Sequence, residues 1–559
     1  MSGAGAWAVK LYFLFRLLTG VYKCCILYTI LCINTQCYSS TLQPGGLLMD
    51  AKVVFLILTF SISVFGMVAF IVALIQKQVL VPASAAKSIF AFDEAGHSEL
   101  DQRSSESEKW KVLDQSARSP ILFFIVSSVF WLVLGSVFGL MSSFKFHQPD
   151  FLTAQPLWTF GKVRTLHLNM IAYGWLSPAA LAIALWLVPR LMKVPLQNIK
   201  VLYTAGILWN IGVTLGCVGI LFGVTDGLEW LEFWWPIDIL LAVAGALIAI
   251  PLFRTIYLSQ EKHLYVTMWY TVAALIWFPV LFVIANAHFL HSGVQQAIAN
   301  WWFAHNVLGL WVTPLGLGII YYLLPKIIGY PIASYQLSLF GFWGLALFYA
   351  QVGMHHLLGG PIPTWLGNLS VVMSVGMAIP VITVAINHHV STYRHFRVLK
   401  DSIVLRFIVF GAMSYTVSSL QGSLHSLRTF NYTTHFTHWT VSHAHLGLYG
   451  FTTMVLFGGI YFALPRLLGR DWKYPGLLNL HFWTAAIGVI IYAVALGIGG
   501  WFQGEELRNP EGSFETSVRI TMPYLMIRSV GGTLMLFSHL LMLYNVVSIL
   551  WLQKKEASK

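Results

Sequence analysis

The residues best equipped for chemistry are histidines set inside apolar runs. VSHAHLGLYG, residues 441–450, places His443 and His445 two positions apart in an otherwise hydrophobic stretch. Successive residues of an α-helix turn by about 100°, so i and i+2 face nearly opposite ways. One small site cannot use both rings, but two large ligands flanking the helix can take one each. Imidazole is a common axial ligand of haem iron, and a haem on either side fits this geometry. The other reading of the pair is two structural histidines bonded to neighbouring helices.

A second group lies upstream. MHHLLGG supplies His355 and His356, adjacent and about 100° apart on a helix, so both rings can converge on one ion. NWWFAHN adds His305, fifty residues earlier, and two consecutive antiparallel helices can bring 305 and 355 to one membrane depth. Three imidazoles with no thiolate or carboxylate suit copper or zinc. RTLHLNM holds His167 early in another apolar run, where it can be the opposite axial ligand of a six-coordinate haem. Each histidine alone reads as a satisfied core residue; the set, at these spacings and within spans, does not.

The elements that must position them are membrane helices. The chain has 559 residues, 57% hydrophobic and 10% charged, with mean hydropathy +0.72, whereas soluble domains carry about 25% charged residues. Spanning about 30 Å of hydrocarbon takes roughly 20 apolar residues. Such runs recur near 118–144, 165–190, 201–223, 235–259, 264–290, 299–325, 335–358, 365–388, 403–425, 437–466, 477–500 and 525–553. The expected fold class is all-α, a polytopic membrane protein with a twelve-helix core over 118–553.

Before that core, 11–32 is hydrophobic behind Lys10, and Met49 opens a second plausible start ahead of another spanning run, 52–76. Residues 1–48 therefore read as a signal, an anchor or a start-site artefact. One extra transmembrane helix is expected within 49–80, or two if the first segment is retained. A polar linker follows over 81–117, containing AFDEAGHSELDQRSSESEKW, and the chain closes with a tail at 554–559.

The loops after the even core helices hold Arg190, Lys193, Lys200, Arg254, Lys262, Lys326, Arg394, Arg397, Lys400, Arg466, Arg470 and Lys473, while the odd loops are nearly free of Lys and Arg. The positive-inside rule puts the even loops and the C-terminus in the cytoplasm. This placement accounts for the net charge of +12 by orientation and anionic lipid, so no nucleic-acid partner is expected. Cys24, Cys25, Cys32, Cys37 and Cys217 form no C-x-x-C-H motif. A c-type haem would have to sit on another chain.

In order and spacing, GVQQAIANWWFAHN, GIIYYLLPK, MHHLLGG, HFTHWTVSHAHLG, IYFALPRL and IRSVGGTL resemble the haem-copper oxidases. Within them the chain looks like the catalytic subunit I of cbb3-type (C-family) cytochrome c oxidases. The resemblance implies that His167 and His445 are the axial ligands of a low-spin haem b, that His443 is the proximal ligand of a high-spin b-type haem, and that His305, His355 and His356 hold the copper ion CuB. It implies that Tyr349, six residues before His355, is covalently joined to His305 and donates a proton and an electron in O–O cleavage. Arg528 and His435 would be propionate partners, Glu229 and Glu232 carboxylates for a bridging calcium, and Ser338 and Tyr322 members of a K-type proton route.

The activity implied is that of a terminal oxidase, reducing O2 to water with electrons from cytochrome c, coupled to proton uptake and pumping. The implied partners are c-type cytochrome subunits of the same complex, in a bacterial inner membrane. Gln421, twenty-two residues before His443, departs from the family, which usually has a glutamate bonded to the proximal histidine there. His438 and Trp234 likewise stand where acidic residues are usual. The nearest rival is nitric oxide reductase, which has a glutamate four residues after the first metal histidine, where this chain has Gly309. A transporter using buried histidines as a proton relay, or a haem-bearing sensor without turnover, are the readings from other classes.

Overall fold

Backbone groups in hydrocarbon must be satisfied within their own segment, which makes each long apolar run a helix. The computed structural model describes residues 100–261 and 263–552. It is all-α, with α1 at Leu100–Lys145 followed by α2 Phe160–Met192, α3 Ile199–Phe222, α4 Trp235–Tyr257, α5 Val266–Ala285 and α6 Val294–Ile328. The second half is α7 Tyr335–Leu357, α8 Thr364–Arg394, α9 Ile403–His425, α10 His438–Leu468, α11 Pro475–Arg508 and α12 Phe514–Leu550. These are the twelve expected spans. Phe130, Ile207, Val283, Phe340, Val372 and Val530 are exposed on their outer faces, as apolar side chains turned toward lipid would be.

Helix α1 differs from expectation. It runs unbroken from Leu100, so residues 100–117, assigned above to a solvated linker, are helical. The reason lies in its partners: Leu113 and Ala117 are buried, and Asp114 pairs with Arg190 of α2. The segments at 1–48 and 49–80, the rest of the linker and the tail lie outside the described residues.

Besides a π-turn at Ser548–Leu552 that closes α12, three helices are unwound in mid-span into wider π-turns, at Met170–Leu176 in α2, Val307–Val312 in α6 and Leu446–Thr453 in α10. Each of these three begins one to three residues after His445, His305 or His167. π-turns inside α-helices concentrate at functional sites. Helix α7 instead tightens into 3-10 turns at Tyr349–Gln351 and Gly353–Leu357. His355 and His356 therefore sit on a 3-10 turn, not on the α-helix assumed from sequence.

One ionic cluster ties α1 to α2. Arg190 donates from Nε and Nη2 to the two carboxylate oxygens of Asp114 at 2.9 and 2.5 Å, and Trp186 Nε1 donates to the same carboxylate at 3.0 Å. Removing one partner of a buried pair strands the other charge, at about 3–5 kcal/mol. Asp114→Ala should lower thermal stability in detergent by that order; an unchanged melting temperature would show that solvent already screens the pair.

Candidate metal centre

The end of α6 and the 3-10 turn of α7 bring His305, His355 and His356 together, with their ligand atoms all within 4.8 Å of one another. Ring centroids are 5.0 Å apart for His305 and His355, 5.3 Å for His305 and His356, and 4.4 Å for His355 and His356. Hydrogen bonding fixes one tautomer. The Ser374 hydroxyl donates to the Ser370 carbonyl at 2.7 Å, so at 2.9 Å from His355 Nδ1 it can only accept. His355 Nε2 is left with a free lone pair. His305 Nδ1 is buried without a hydrogen-bond partner, and His356 is held by stacking on Trp301 at 4.3 Å. Convergent nitrogen donors with an orphaned buried atom fit a copper or zinc ion.

Tyr349 lies beside this triad, its ring centroid 4.9 Å from that of His305. The ring occupies the space a side chain on Gly309 would need: a Cβ there would stand 1.6 Å from a ring carbon. Residue 309 must be glycine for the tyrosine to reach the histidine.

On the other side of α10, His167 and His445 face each other as near-parallel rings with centroids 6.3 Å apart. Metal–nitrogen bonds of roughly 2 Å on each side, plus the half-widths of two imidazoles, account for this spacing. Both rings donate from Nδ1 to backbone carbonyls, His167 to Gly135 at 2.8 Å and His445 to Val441 at 2.9 Å. Both Nε2 atoms are therefore free to face one iron, as haem ligation requires. His167 approaches α1 so closely that a Cβ on Gly139 would meet its ring at 2.6 Å.

His443 points to the opposite side of α10 from His445, as the spacing requires. Its Nδ1 and the Oε1 of Gln421 are both buried without a partner, so the two side chains make no hydrogen bond to each other. Trp439 stacks parallel to the His443 ring at 5.9 Å.

A single cavity of about 390 Å³ wraps α10 and is lined by His167 and His445 on one side and by His443, His305, His355, His356 and Tyr349 on the other. Arg528 also lines it. Its Nε donates to the Tyr492 hydroxyl at 2.9 Å while Nη1 is buried and unpartnered, which suits an incoming carboxylate. His435 does not join this lining: it stacks on Phe436 at 3.8 Å. Burial lowers its pKa, partly offset by the backbone carbonyls of His356 and Leu358.

Glu229 is clamped by Arg164 at 2.7 and 3.4 Å. Glu232 accepts from Asn169 at 3.1 Å with its other oxygen unpartnered; burial first, then the charge of Glu229, pushes its pKa up to about 7.

Of the proposed proton-route residues, Ser338 is buried and donates to the Tyr335 carbonyl at 2.6 Å. Tyr322 does not accompany it, because it packs on Trp186 at 5.8 Å beside Arg190. Its neighbour Tyr321, turned about 100° away, stacks on Tyr270 at 5.9 Å and packs against His388 at 4.7 Å. The hydroxyls of Tyr270, Tyr321 and Tyr415 and both ring nitrogens of His388 are buried without partners.

The sequence reading also missed His425. Its ring stands 6.2 and 6.3 Å from those of His355 and His356 and is stacked on Trp439 at 4.9 Å. The available signal was its place one helical turn after Gln421 in SLQGSLH.

A helical membrane bundle with a triad of imidazoles and a facing pair across one helix defines the class of haem- and copper-binding respiratory proteins. The sequence profile described as cytochrome c and quinol oxidase polypeptide I matches residues 119–534. The chain belongs to this family. It is 31% identical over 439 residues to the cbb3-type cytochrome c oxidase subunit CcoN1 of Stutzerimonas stutzeri, covering 76% of this chain and 92% of that one. It is 30% identical over 455 residues to cytochrome c oxidase subunit 1 of Rhodobacter capsulatus, covering 78% and 86%. A heme-copper terminal oxidase dimer solved by cryo-EM shares the fold, with a TM-score of 0.64 and 18% identity over 78% of this chain and 84% of that one.

Gly309→Ala should displace Tyr349 and reduce copper per chain, measured by elemental analysis, while Gly309→Ala with Tyr349→Ala should recover it. Equal copper in the single variant and the parent would contradict the packing argument.

Proposed function

We propose that this chain is the oxygen-reducing subunit of a cbb3-type cytochrome c oxidase, a multi-pass protein of a bacterial inner membrane with its C-terminus in the cytoplasm. The observation that carries this reading is His443 and His445 back to back on α10, with the His167 ring lying near-parallel to that of His445 at 6.3 Å on one side and the histidine triad on the other. His167 and His445 would hold a low-spin haem b, His443 a high-spin b-type haem, and His305, His355 and His356 CuB. When bound, these groups supply electron storage and the site where oxygen is reduced.

The chain's own residues do the rest. Tyr349, within ring contact of His305, supplies a proton and an electron from its phenol, and a covalent bond to His305 would fix it there. Arg528 offers its free guanidinium nitrogen to a propionate and offsets its charge. His435, off the cavity, would act on the backbone of the His356 loop and not on a propionate directly. Protons reach the copper side past Ser338 and then past Tyr321, Tyr270, His388 and Tyr415, and the unpartnered polar atoms of these last four suit intervening water. Electrons come from cytochrome c through c-type cytochrome subunits, because this chain has no haem-attachment motif. Calcium at Glu229 and Glu232 has to compete with the Arg164 guanidinium that already holds Glu229.

Oxygen is favoured over nitric oxide as substrate by Gly309: the tyrosine ring fills the volume that a reductase glutamate would require. The purified complex should consume oxygen with reduced cytochrome c as donor, and His305→Ala should abolish this. Nitric oxide turnover without oxygen consumption would refute the reading.

Gln421 supplies a neutral amide where the family's glutamate is anionic. An anionic partner makes the proximal imidazole more electron-donating. Gln421→Glu should therefore lower the high-spin haem potential, on the order of 60 mV for a tenfold change in a one-electron equilibrium. A redox titration without a shift would sink this assignment.

A further inference from the structure

His443 differs from the two histidines on the far side of α10 in how it is held. His167 and His445 each have a backbone carbonyl at Nδ1, the usual device by which a ligand imidazole is kept in one orientation. The Nδ1 of His443 is buried and has no partner. Gln421, whose Oε1 is equally unpartnered, does not supply one. No hydrogen bond at Nδ1 therefore sets the plane of this ring.

What lies beside it is aromatic. Trp439 stands one turn earlier on α10, where residues four apart are neighbours, and its ring is parallel to that of His443 within 11°, with centroids 5.9 Å apart. Trp439 is also parallel to His425 within 5°, at 4.9 Å. The result is a set of three near-parallel rings joined through the tryptophan. The fold holds Trp439 from other directions as well. Phe430, on the short helix Arg428–Thr434 that joins α9 to α10, meets it edge-on at 5.1 Å. Its backbone is seated on Gly500 of α11, where a Cβ would stand 2.0 Å from the Trp439 nitrogen.

His425 ends α9 and is tied in its turn. Its Nδ1 lies 2.9 Å from the Thr434 hydroxyl, and its carbonyl accepts from Asn431 Nδ2 at 3.1 Å. Its Nε2 is buried with no partner. What it offers Trp439 is a ring face.

We propose that Trp439, backed by His425, orients the proximal imidazole of His443 by stacking, in place of a hydrogen bond. This rests on the oxidase reading, in which His443 ligates the high-spin haem. Trp439 and His425 are positioning residues, acting on the iron only through His443. Offset-parallel rings with centroids about 4.5–7 Å apart are a favoured aromatic arrangement. Such a contact resists rotation of the imidazole about its Cβ–Cγ bond, leaves Nε2 free for the iron and adds no charge. Two roles that one anionic partner would combine are thus separated: the stack sets the ring plane, and position 421 sets the charge beside it.

The test is the iron–imidazole stretching band in the resonance Raman spectrum of the ferrous, ligand-free high-spin haem in the full complex, a readout independent of turnover. Trp439→Leu should shift and broaden this band, and Trp439→Phe, which keeps a ring, should retain the parental one, with copper per chain and the low-spin spectrum unchanged in both. His425→Leu should broaden it to a smaller extent, because Trp439 remains. Gln421→Ala should leave it in place, because Gln421 makes no hydrogen bond to the ring. A parental band in Trp439→Leu, or a band displaced by Gln421→Ala, would overturn the proposal. Should Trp439→Leu lose the high-spin haem, His425→Leu decides: a broadened band supports the stack and a parental band overturns it. A parent complex without haem would remove the oxidase reading itself, a distinct result because no band would be seen in any variant.

Discussion

The structure depends on how an imidazole is held in a medium that offers no water. A histidine presents a lone pair to a metal only if its other nitrogen carries the proton and has somewhere to put it. Here that proton goes to acceptors with no alternative: the Gly135 carbonyl for His167, the Val441 carbonyl for His445, and a serine already committed to the Ser370 carbonyl for His355. The tautomers are thus set by the bundle before any ligand arrives. A buried polar atom left without its partner costs about 1–3 kcal/mol, so the orphaned atoms of His305, His443 and Arg528 mark where the fold expects something else.

From this follows the role of α10. It carries a histidine on each face, His443 on one and His445 on the other, and is enclosed on each by other helices, so it acts as the partition between two halves of one cavity. The π-turn after His445 adjusts the helix's phase where both faces must be met. Close approach elsewhere is obtained by deleting side chains: Gly139 admits His167 and Gly309 admits Tyr349.

Much of this was legible in the sequence. Twelve spans follow from length and hydropathy alone, and the opposed directions of His443 and His445 follow from helical period. What was not legible arises where the helix departs from that period or where partners come from distant segments. The 3-10 turn at His355 and His356 cannot be read from an assumed α-helix. The choice between Tyr321 and Tyr322 turns on which neighbours, Tyr270 and His388 or Trp186 and Arg190, lie across helix boundaries. Helix α1 extends into a stretch that reads as polar because Asp114 finds Arg190 seventy-six residues away. His425 looks like an ordinary helix-polar residue until its contacts with His355, His356 and Trp439 are known.

The most direct test of the central claim, that α10 separates two haem pockets with a copper site beyond one of them, is a count of haem and metal per copy of this chain. Pyridine haemochrome and elemental analysis of the purified complex should give two non-covalent b-type haems and one copper. Extra non-haem iron with no copper would contradict the assignment of the triad, and fewer than two such haems would contradict the partition itself.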